Sequence, residues 1–336
     1  MIKEQNNNLE TVYIKEEISR CETIDELKEK ILPMIKSQSE QWSHKINEII
    51  ATSGYTKTKF AELCKVSRVT VDKWCKGAVP RNRESFLKIG MAAGYNIEQM
   101  NQLLQRYGQY PGLYSKSLED CICMYVLGKN YGSETFDTYL YILDKIKAAF
   151  NVSDVIPENV TTEKLDAKIT KVQDENELEE FIACNIASFI STYHKLYAFI
   201  EANVVNEDMD TNVFTKAEVQ GWSSSLRQCV SAVRQHKWYP TRNKIISLGL
   251  HISMDHEEID EMLEMAHMEP LCAKNIFESV IMFILDDASL NNIMDDEAED
   301  YDPDMLCKYA KEVFEQLELP ELDFFISEVS EIDNDY

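Results

Sequence analysis

The sequence predicts an all-α protein made of two tandem helical modules, and three observations lead there. Gly and Pro number only 10 and 8 in 336 residues, which starves β-turns and favours long helices with short connections. Apolar residues recur at helical spacing, as in "MLCKYAKEVFEQLELPELDFFISEV". The chain also resembles itself along nearly its whole length, and 336 residues suffice for two domains, each with a core of its own.

Taken in order, Thr56 can cap a helix whose apolar face is Phe60, Ala61 and Cys64. Ser67 can cap a second, short helix with Val71 and Trp74 turned inward. Lys76-Gly77 closes it, since Gly suits the left-handed position after a helix end. Pro80 then leads to a further helix, expected over Phe86 to Ala93. Two short helices joined by a tight turn leave the second projecting, with its first turn free.

From Tyr55 to Lys88, nine basic residues face only Glu62, Asp72 and Glu84, in a chain whose net charge is −25. A basic island in an acidic chain is the electrostatic footprint of nucleic-acid binding. The candidate DNA-contacting set is Lys57, Lys65, Arg68, Val69, Thr70, Lys73, Lys76 and Arg81. Within it Arg68, Thr70 and Lys73 are placed to meet bases, and Lys57, Lys76 and Arg81 to meet phosphate.

Thr56, Ala61, Val66, Ser67, Arg68, Thr70, Trp74, Gly77 and Pro80 together resemble the helix-turn-helix of Cro/CI-type (xenobiotic-response-element-type) repressors. The resemblance covers about 44–93 and implies a lambda-repressor-like unit with a Ser67–Trp74 recognition helix. It also implies a transcriptional regulator of double-stranded DNA; a second half-site contact is expected from a homodimer, with the second module of the same chain as the alternative. Lys65 stands where that pattern has a turn Gly, and Cys75-Lys76 where it has Glu-Asn.

The repeat pairs Phe86–Leu127 with Ile245–Leu285. Leu104 falls on Leu263, Pro111 on Pro270, Glu119 on Glu278 and Gly90 on Gly249. Further back, Ile18, Leu27, Ile31 and Ile35 find counterparts in Ile169, Leu178, Ile182 and Ile186. The modules are therefore expected at 1–155 and 156–336, joined through "NVSDVIPENVTTEK". In the second, a degenerate helix-turn-helix over about 214–252 lacks the Trp and the Gly. It keeps Arg227, Arg234, Lys237, Arg242 and Lys244 without one acid from Leu226 to Lys244, a possible second contact with DNA backbone.

From Asp286 onward, 18 acidic residues face Lys308 and Lys311. This acidic region reads as a solvated closing segment or as a surface for a protein partner. The alternative to a DNA reader is therefore a non-enzymatic helical interaction protein, such as a phage- or plasmid-linked adaptor, that binds through its acidic face. The usual phosphate, zinc and acyl-transfer signatures are missing, so no enzyme activity, cofactor or metal is expected. His251 and His256, five apart, are read as surface residues. Nine scattered cysteines and no apolar leader point to reduced, mostly buried thiols and to the cytoplasm.

Overall fold

The computed structural model describes residues 11–149, 162–185, 194–203, 213–219, 222–235, 241–291, 293 and 304–329, and every regular element among them is helical. Helix α1 spans 11–18, and α2 spans Ile24–Glu26 and continues through a π turn, Leu27–Ile31, into a 3-10 turn, Leu32–Met34. Then follow α3 (Gln38–Ser53), α4 (Lys57–Leu63), α5 (Arg68–Cys75), α6 (Arg83–Ala92), α7 (Ile97–Gln102), α8 (Leu118–Lys129), α9 (Thr135–Ala149), α10 (Thr162–Ile169) and α11 (Glu175–Asn185). The later helices are α12 (His194–Ala202), α13 (Val213–Val219), α14 (Ser224–Arg234), α15 (Arg242–His251), α16 (His256–Met265), α17 (Ile276–Leu290), α18 (Met305–Leu317) and α19 (Asp323–Val329). The expected linker lies largely outside the described residues.

The chain divides into two compact units: Ser39–Lys195, and Met1–Gln38 with Leu196–Tyr336. In the first, α8 is apolar on all sides and nearly every residue from Leu118 to Leu127 is buried. A helix of that kind belongs at the centre of a core, and α9 and α10 pack on it. Trp42 on α3 meets Phe86 on α6 edge to face at 5.2 Å and is fully buried with it. Helix α6 starts at Arg83, three residues before the expected Phe86, because the Asn82 side chain caps it by accepting from the Ser85 N–H.

The second unit is likewise built around a buried apolar helix. Its central helix is α17, buried from Phe277 to Leu285, against which α18 lies. The Asn96 capping box of α7 has its match in the Asp255 box of α16. A Cβ on Gly90 would meet the Met100 side chain, and one on Gly249 the Ile259 side chain, each under 3 Å away. Glycine at these two positions lets α6 and α15 close on α7 and α16. Arg83 forks onto Asp120, at 2.8 and 3.0 Å, as Arg242 does onto Glu278, at 2.7 and 2.8 Å. Tyr114 N–H and Cys272 N–H complete the two carboxylates. Glu278 thus answers to Asp120 and not to Glu119, the counterpart expected from sequence. The connection before α8 is one residue longer than the one before α17, which shifts the register.

The division falls at Gln38/Ser39 and Lys195/Leu196, not at the expected 155/156. Buried Leu165, Ile169, Leu178 and Ile182 of α10–α11 join the core of the unit that holds α3–α9. Their counterparts Ile14, Ile18, Leu27 and Ile31, on α1 and α2, are equally buried but belong to the unit of α13–α19, where α2 packs on α18 and Ser19 donates to Asp286 at 2.9 Å. Each hairpin has matching caps: Thr23 accepts from Glu26 N–H, and Asp174 from Glu177 N–H. The described part of the acidic C-terminal region is no loose appendage. Phe314, Leu322 and Phe325 are fully buried in the second unit, with the Phe314 and Phe325 rings 4.8 Å apart. Most of the acidic run Asp295–Asp304 lies outside the described residues.

Candidate nucleic-acid interface

Helices α4 and α5 form the expected pair. Thr56 Oγ1 accepts from Lys59 N–H, and Ser67 Oγ from Thr70 N–H, so each hydroxyl satisfies a donor that the first turn leaves open. Between the helices Lys65 takes the left-handed conformation at φ 54°, and Gly77 does so after α5 at φ 104°. Phe60, Ala61, Val71 and Trp74 are buried. The C-terminal end of α5 is tied down from α3: Ser43 Oγ and Asn47 Nδ2 both donate to the Cys75 carbonyl, at 2.7 and 3.1 Å. A side chain on Gly77 would run into Ser39 at the start of that same helix.

The outward face of α5 is Arg68, Val69, Thr70 and Lys73, and Val69 is 63 % exposed. Asp72 sits among them and bridges two cations, Lys57 at 3.5 Å and Arg68 at 3.8 Å. Lys65 turns away from this face and pairs with Asp137 on α9. Lys73, Lys76 and Arg81 are exposed and enter no ion pair among the described residues. Of the eight candidate residues, three are thus unencumbered cations, two share one carboxylate, and one is engaged with another helix.

The second basic window divides more sharply. Arg242 is 6 % exposed and spends its guanidinium on Glu278 and on the carbonyls of Glu269 and Pro270. It is a core residue and leaves the candidate set. Lys244 is half-buried and donates to Ser225 Oγ at 2.8 Å; burial lowers its pKa. The Arg234 guanidinium covers the Phe214 ring, 4.6 Å from its centre. Arg227 is exposed on α14, and Lys237 lies outside the described residues.

Charge counting overlooked the twin buried pairs. Arg83 and Arg242 raise the basic tally of both windows, yet each is consumed by a carboxylate far along the chain. Burial pushes the Asp120 carboxyl up, while Arg83 and the Tyr114 N–H pull it back toward ionisation. One sequence signal pointed to them: an arginine shortly after a proline in each half, Arg83 after Pro80 and Arg242 after Pro240, at the constant spacing of the repeat. His251, expected at the surface, is 2 % exposed and stacks edge-on to buried Trp222 at 5.5 Å. No cluster of three or more potential metal ligands occurs among the described residues, and no helix among them is long and apolar enough to cross a membrane. No family model, curated protein or solved structure matches this chain.

Proposed function

We propose that the protein binds duplex DNA through α4–α5, with α5 entering the major groove as the reading helix, and that it acts in transcriptional control. The observation that carries this reading is the presentation of α5. Its first turn is capped and exposed, its far end is anchored on α3, and its solvent face bears Arg68, Thr70 and Lys73 beside Lys76 and Arg81. Arg and Lys reach guanine edges, Thr either base type, and the Val69 side chain suits a thymine methyl. Lys57, Lys76 and Arg81 supply the sequence-independent attraction to phosphate.

The test is binding of the full chain to a randomised duplex pool, followed by salt titration on the selected sequence. Lys73→Ala should weaken the selected site by about 1–3 kcal/mol and relax preference at one base pair. Lys76→Ala should weaken all sequences alike. Absence of any salt-dependent duplex binding would discard the reading in favour of a protein partner for the acidic surface, where Glu312, Glu315 and Glu318 are exposed.

A further inference from the structure

The two units keep a constant spacing of 159 residues from Arg83/Arg242 through Gly90/Gly249 to the caps Asn96/Asp255. The same spacing carried back toward α5 sets Trp74 against Val233, Val71 against Val230 and Cys64 against Ser223. All six are buried, so the register holds through the preceding helix. It places Arg227 at the position of Arg68 and Ser231 at that of Asp72. Helix α14 therefore occupies in the second unit the place that α5 occupies in the first, with an extra turn at its start. The Ser223 side chain caps that turn through the Leu226 N–H at 3.1 Å.

The two faces differ in one chemical respect. On α5 a carboxylate ties up Arg68 and Lys57. On α14 a hydroxyl stands in its place, the helix contains no acidic residue, and Arg227 enters no ion pair among the described residues. Ser224, Ser225, Arg227 and Gln228 are exposed together at its N-terminal half, and Lys244 fixes Ser225 from α15. Every one of these groups can donate a hydrogen bond, and none supplies an apolar surface for a base methyl. In a chain of net charge −25, a face rich in donors and free of carboxylates is complementary to an anion repeated along a line.

We propose that α14 is a second DNA-contacting helix, directed at the phosphate backbone and taking no part in reading bases. The inference rests on the DNA reading above.

The experiment uses the full chain and a duplex of about 30 base pairs titrated with salt. Arg227→Ala should reduce the slope of log affinity against log salt by about one unit and weaken binding roughly tenfold near 0.1 M salt. Ser231→Asp, which recreates on α14 the carboxylate of α5, should weaken binding at least as much, whereas Arg227→Lys should keep the slope. Thermal melting of each variant checks that the fold is intact. If Lys73→Ala weakens binding while Arg227→Ala and Ser231→Asp leave affinity and slope unchanged, α14 does not touch DNA and the role of α5 stands. If Arg227→Ala alone acts, the phosphate contact stands and α5 is not the reader. If none of the three has any effect, both readings fall.

Discussion

Asp72 lies within reach of both Lys57 and Arg68, and all three side chains are well exposed, so the cluster adds little to stability. Its consequence is electrostatic: a negative charge on the helix that approaches phosphate. Asp72→Asn should therefore leave the melting temperature within a degree or two, since exposed pairs contribute about 0–1 kcal/mol. It should also tighten duplex binding and steepen the salt slope, both read in one titration series. The buried pairs behave oppositely. Arg83→Ala strands Asp120, and Arg242→Ala strands Glu278, each among groups almost without solvent. Loss of about 3–5 kcal/mol is expected from urea unfolding of either variant. The thiols give a third test at this scale. Burial pushes Cys64 and Cys229 up to about 12, so at pH 8 they are protonated as well as enclosed, while Cys184 is exposed. Alkylation of the native protein should label Cys184 in the first phase and reach Cys64 and Cys229 only at the rate of unfolding.

Among the elements, the α4–α5 connection concentrates its backbone constraint in two residues. Lys65 at φ 54° takes a conformation disfavoured for a residue with a Cβ. Lys65→Gly should raise stability by up to about 1 kcal/mol, despite the lost contact with Asp137. Gly77→Ala should lower it by about 1–2 kcal/mol, because φ 104° and Ser39 both oppose a Cβ. Equilibrium denaturation of the two variants gives opposite signs if the turn is as described. Much of this region was legible in the sequence because its signals are local. Thr56, Ser67 and Gly77 act on neighbours within three or four positions, and the inward set Phe60, Val71 and Trp74 follows from helical spacing alone. Arg242 was misjudged, and the pairing of Lys65 missed, for the complementary reason: their partners lie 36 and 72 residues away. A count of charges within a window carries no information about such partners.

At the scale of the whole molecule, the same limit explains why the division into units departs from the order of the repeats. Apolar patterns mark Ile18 and Ile169 as inward-facing, but pattern alone does not tell which core receives each hairpin. Hydrogen exchange separates the possibilities. Ile18→Asp should loosen amides of 241–291 and 304–329 by about 3 kcal/mol or more while 57–149 stays protected, and Ile169→Asp should do the reverse.

The placement of α1–α2 also sets a timetable. On a ribosome adding roughly 5–20 residues per second, the α1–α2 hairpin leaves the exit tunnel before α3, yet its binding surface on α18 follows only after α3 to α17 have been made. The first unit, contiguous from Ser39 to Lys195, can close in the meantime. For an interval on the order of ten seconds or longer, Ile14, Ile18, Leu27 and Ile31 have no core to enter. A hairpin made before either core is thus sheltered only once α18 appears, and it is where a ribosome-bound chaperone would find a long-lived apolar target.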